Sequence, residues 1–145
     1  MENIKKVFVL LLVIALASCA PANEYCPPKE TNKFLKVLNQ IDRKWTVAYN
    51  TAGKVEKINL DGAIQDLLTL KQEVESIEGP ECLEPAKNAF IRYMQKIIEG
   101  FTAIKTGKSE VTVQRLFDSS DEYLDEFYSH IYEIEGCLPN CAKPE

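Results

Sequence analysis

The sequence predicts an all-α protein, an up-down-up-down four-helix bundle stapled by two disulfides. Two observations predict the helices: between residues 30 and 136, apolar residues recur at steps of three and four in four successive stretches, and each stretch stops at a glycine. A third predicts the topology, because connections of a few residues leave consecutive helices side by side and reversed in direction. No strand pattern competes beyond the short β-prone Val111-Thr112-Val113, and no repeat marks a solenoid.

The first helix carries Phe34, Leu38, Ile41, Trp45, Ala48 and Ala52 on one face and stops at Gly53. The second carries Leu60, Ala63, Leu67, Leu70, Val74 and Ile77, widened by Ile64 and Leu68. Asn59 and Asp61 are its candidate caps, Gly62 weakens its first turn, and Gly79-Pro80 ends it. The third begins near Cys82, tolerates Pro85 in its first turn and runs through Ala86, Phe90, Tyr93, Ile97, Phe101 and Ile104 to Gly107, with Gly100 as a local weakness. The fourth starts after Ser109 and carries Val113, Phe117, Ser120, Leu124, Phe127, Ile131 and Ile134 to Gly136. At 1.5 Å per residue that last helix is about 40 Å long and the others about 30 Å.

Ahead of the bundle, Lys5 and Lys6 lead into the apolar run VFVLLLVIALAS, the layout of a secretory signal. The run breaks at Ser18, Cys19 and Pro21, short of the roughly 20 apolar residues that span a bilayer. Leu16-Ala17-Ser18-Cys19 resembles the lipobox of bacterial lipoproteins. The resemblance implies that the Cys19 thiol receives a diacylglycerol, that cleavage precedes Cys19, and that its freed amine can then be acylated, for instance with palmitate. At about 0.8 kcal/mol per buried methylene, two or three chains hold a protein on a membrane where one is marginal. It further implies an outer-membrane protein in a diderm cell, because Ala20 rather than Asp follows Cys19, or an anchor on the outer face of the cytoplasmic membrane in a monoderm.

The expected divisions are a signal peptide over 1–18, a Pro-rich tether over 19–29, the bundle over 30–136 and a Cys-containing tail over 137–145. Loss of residues 1–18 removes Glu2, Lys5 and Lys6 and takes the formal charge from −5 to −6 over a one-domain length. Basic residues are scattered among acids rather than gathered in a stripe, which argues against nucleic acid as a partner. The expected partners are the membrane, through the lipid, and an envelope protein.

With Cys19 lipidated, Cys26, Cys82, Cys137 and Cys141 remain, an even number in an exported chain. The bundle topology places all four at one pole. Pairing Cys137 with Cys141 closes only a tiny loop, so the expectation is Cys82 with Cys137 and Cys26 with Cys141; a Cys26 to Cys82 link would overturn it.

Catalytic patterns are missing. The single histidine, His130, cannot complete a Glu-x-x-His di-iron site, no C-x-x-C-H attaches haem, and a His130–Met94 haem pair has no spacing rule behind it. No C-x-x-C pair supports a zinc knuckle or a redox site. Ser129 and His130 are adjacent on a helix and point apart. His130 with Glu126 and Glu133 reads as a solvated surface group, and Asp118, Asp121, Glu122, Asp125 and Glu126 lack the glycine and alternation of a calcium loop. The segment Cys82-Leu83-Glu84-Pro85-Ala86, with Tyr93 and Met94, is similar to segments of small bacterial lipoproteins and implies no particular activity. The expectation is a non-enzymatic, lipid-anchored interaction or binding module without catalytic residues, metal or cofactor. The alternative is a bundle that carries a small apolar ligand or cofactor between aromatic residues such as Phe90, Tyr93 and Phe127.

Overall fold

The computed structural model describes residues 26–137, with side chains through Ile134. Cys19, the signal, the tether up to Tyr25, Cys141 and the rest of the tail lie outside the described residues, as does the side chain of Cys137.

Among the described residues the chain is all-helical, with four long helices: α1 (Pro28–Ala52), α2 (Leu60–Glu75), α3 (Glu84–Lys105) and α4 (Glu110–Cys137). Short 3₁₀ turns at Lys57–Asn59 and Glu81–Leu83 lead into α2 and α3. Helix α1 starts two residues inside the expected tether. Pro28 occupies its first turn, where the missing N–H has no intrahelical partner to lose and the fixed φ suits the helix. Asn59 makes no side-chain cap and gives way to the 3₁₀ turn, whereas the Ser109 hydroxyl accepts the Thr112 N–H at 3.3 Å and caps α4 as expected. Gly107 reverses the chain between α3 and α4 with φ +72°, a conformation that glycine adopts without a Cβ penalty.

The first two stripes are buried much as their periodicity predicts: Phe34, Leu38, Ile41, Trp45 and Ala52 on α1, and Leu60, Ala63, Leu67, Leu70 and Val74 on α2. On α3 the buried face is wider than its expected stripe and includes Ala89, Met94, Ile98, Gly100 and Ala103, because this helix packs against both α2 and α4. Tyr93 and Ile104, expected at its centre, are only partly buried.

Gly100 is not a defect in α3. A Cβ there would come within 2.8 Å of the Phe117 ring, so the missing side chain lets α4 pack closely. Gly79 plays the same part before α3, where an added Cβ would collide with the Phe34 ring.

On α4 the full burial reaches only Ser120, Phe127 and Ile131 among its described side chains, while Val113, Phe117, Leu124 and Ile134 are half-buried. Helix α4 lies closely against α3, but its backbone barely approaches α1. The seam between α1 and α4 is therefore closed by side chains, and incompletely.

Cys26 is bonded to Cys82, with Cα atoms 5.6 Å apart and a sequence separation of 56. This corrects the expected pairing of Cys82 with Cys137 and Cys26 with Cys141. The physical reason is the early start of α1: Cys26 sits two residues before the helix, wholly buried, and Thr31 donates to its sulfur at 3.3 Å. Cys26, expected to pair with Cys141 of the tail, is held inside the core next to the turn that contains Cys82.

Candidate functional site

The incomplete seam forms a cleft of about 210 Å³. Leu35, Leu38, Asn39 and Asp42 of α1 form one wall, Phe127, Tyr128 and Ile131 of α4 the other, and Phe90 of α3 lies between. Helical spacing aligns these groups: Leu35, Leu38 and Asp42 follow steps of three and four, as do Phe127 or Tyr128 and Ile131. Phe90 and Phe127 contact each other with ring centroids 5.1 Å apart, a tilted arrangement that fixes both rings. Tyr128 packs on Phe127 at 5.2 Å and stacks with Tyr132 at 6.3 Å, so aromatic surface continues out of the cleft to solvent.

Of the three aromatics expected to line a ligand site, Phe90 and Phe127 are brought together in the cleft and Tyr93 is not. Tyr93 instead meets Trp45 edge-on at 6.0 Å, and its hydroxyl accepts the Trp45 indole N–H at 3.3 Å. Burial raises the Tyr93 pKa above the ordinary phenol value, with smaller pushes from Tyr49, Asp42 and Asp121, while the Trp45 hydrogen bond acts the other way.

Asp42, to which the helical period assigns no role, supplies the one carboxyl group in the cleft wall. Partial burial raises its carboxyl pKa. No described cation lies within ion-pair distance of it. Its neighbours one turn away on α1 are Leu38, Asn39, Trp45 and Thr46, none of them basic. That spacing was the available signal: an acid flanking the buried stripe, with no i±3 or i±4 partner.

The other candidate chemical groups of the sequence stay apart. His130 lies 3.8 Å from both Glu126 and Glu133 on the surface of α4, whereas Met94 is fully buried in the core. Glu126 also accepts from Arg92 at 2.6 Å, and the Arg92 guanidinium lies 5.1 Å over the Tyr123 ring, so the α4 acids serve partly to fasten α3 to α4. Among the described residues, no three His, Cys, Asp or Glu side chains converge as a metal site requires, and no helix is long and apolar enough to cross a membrane.

No protein-family model, no curated protein and no solved structure matches the chain.

Proposed function

We propose that this chain is a lipid-anchored protein of the bacterial cell envelope whose helical domain binds rather than catalyses. The observation that carries the reading is the division of labour among the cysteines. Cys19 ends the lipobox-like Leu16-Ala17-Ser18-Cys19, while Cys26, seven residues on, is already committed to Cys82 inside the domain. A buried structural disulfide suits the oxidising conditions that an exported chain meets. In this reading Cys19 carries the diacylglycerol, residues 20–25 separate lipid from domain, and the domain faces an envelope partner.

The two-bridge arrangement then reduces to Cys26 with Cys82 and Cys137 with Cys141, the short loop being all that remains. The up-down-up-down order is part of the same proposal. It is supported by cross-helix partners that descend on one helix as they ascend on the next: Phe101 with Phe117 and Arg92 with Glu126 between α3 and α4, Lys105 with Asp61 and Lys87 with the Ile77 carbonyl between α3 and the α2 end.

Membrane fractionation tests the anchor. Wild type is expected in the membrane fraction and Cys19→Ala in the soluble one; equal release of both contradicts lipidation.

The cleft favours a second reading, a carrier of a small ligand, because Leu35 and the exposed Tyr128 face it above the buried Phe90–Phe127 pair. The cleft is at the small end for a ligand site, as pockets for drug-sized molecules run from about 300 Å³ upward.

A further inference from the structure

We propose that the α1–α4 cleft takes a small organic cation, a primary amine on a short arm attached to an aromatic or compact apolar body, with the ammonium at Asp42 and the body against Leu35 and Tyr128, above the nearly closed edges of Phe127 and Ile131. The inference rests on the carrier reading and names its ligand class.

Size is the first argument. An apolar cavity of about 150 Å³ accommodates a benzene ring, so the cleft's 210 Å³ suits one ring and a short arm.

Charge complementarity is the second. A half-buried carboxylate among mostly apolar and aromatic groups loses part of its water, and Asp42 has neither a described cation in ion-pair reach nor a described side-chain hydrogen bond. None of the residues that line the cleft is basic: Asn39 and Tyr128 are its other polar groups, and Lys36 and Arg43 belong to the adjoining surface of α1. An ammonium that enters restores to Asp42 a charge-assisted hydrogen bond, and a carboxylate or phosphate ligand would instead meet like charge.

The wall chemistry is the third. Tyr128 presents exposed ring surface in the same cleft as the carboxyl group, held by the buried Phe127 and Phe90, and a ring face attracts a cation while it packs an apolar body. An aliphatic neutral ligand would use the rings and leave Asp42 uncompensated.

The test is calorimetric titration of the full chain with phenethylamine and with phenethyl alcohol, which share a ring and arm and differ in the charged end, repeated on Asp42→Asn. That substitution removes a desolvated charge at nearly constant volume, so a folded variant is expected, with helical circular dichroism and melting as controls. The proposal expects phenethylamine to saturate wild type, the alcohol to bind about tenfold or more weakly, and D42N to bring the amine down to the level of the alcohol. Equal binding of amine and alcohol by wild type, or amine binding unchanged in D42N, overturns the amine assignment and leaves the carrier reading standing. Absence of saturation by either compound below about 10 mM overturns both, since even millimolar affinity requires only about 4 kcal/mol.

Discussion

Cys26 and Cys82 join the start of α1 to the turn before α3, across 56 residues of sequence, with Cys26 buried in the core. The bond therefore spans all of α1 and α2. Chain-entropy arithmetic for a loop of that length gives about 4 kcal/mol of stabilisation at 25 °C. The double variant Cys26→Ser with Cys82→Ser is expected to lose stability of that order in urea denaturation. A loss below about 1 kcal/mol would show that the bridge contributes little to this domain.

The glycines give opposed predictions. Nothing lies within 4 Å of a Cβ built on Gly62, so Gly62→Ala should gain roughly 0.5–1 kcal/mol from helix propensity and reduced freedom of the unfolded chain. Gly100→Ala gains the same propensity but presses on the Phe117 ring, and overpacking of a filled site costs about 1–3 kcal/mol. Melting temperatures should rise for the first and fall for the second. A rise for both would mean that α4 yields readily at Phe117.

Most of the helices were legible in the sequence because a strong 3.6-residue period sits on each, and the stops at Gly53 and Gly107 and the Ser109 cap follow from local chemistry. What was not legible depends on which neighbour each helix finds. Gly100 reads as a weakness along α3 alone and becomes necessary only once Phe117 arrives from α4. The α4 stripe is the most regular on paper, yet much of it is half-buried because its far side meets an open seam. The expected disulfide pairing fails for a related reason: a tether that runs to Lys29 leaves Cys26 outside the bundle, whereas Pro28 begins α1 and Cys26 lies buried in the core. Asp42 is a single acid beside a stripe, and it gains meaning only when the opposite wall proves to be Phe127, Tyr128 and Ile131.

The Trp45 to Tyr93 hydrogen bond makes a third prediction. Tyr93→Phe retains the ring packing on Trp45 and Phe90 but leaves the buried Trp45 without an acceptor for its indole N–H. The expected loss is about 1 kcal/mol, together with a change in Trp45 fluorescence, the one tryptophan of the chain. Unchanged stability would show that water replaces the phenol at no cost.

Asp42 sets a pH dependence whose sign is defined. Its folded pKa is raised by burial, so the folded state binds the proton more tightly than the unfolded chain does. That contribution is fully present below the unfolded pKa and is lost as pH rises through the folded one. Asp42→Asn should therefore be more stable than wild type near neutral pH, and the difference should shrink as pH falls through the carboxylate range. Glu99 works in the opposite sense, because the hydrogen bond from Lys96 lowers its pKa, so its contribution is present at neutral pH and lost on acidification. Paired melting curves of wild type and D42N from mildly acidic to neutral pH isolate the Asp42 part; a gap that widens on acidification would reverse the assignment.

The most direct test of the anchored-domain reading is non-reducing peptide mass mapping of the chain purified from membranes. The predicted result is an N-terminal peptide that begins at Cys19 and carries a diacylglycerol, together with a separate cross-linked pair containing Cys26 and Cys82. An unmodified Cys19 found in a disulfide with any of the other four cysteines would contradict the account.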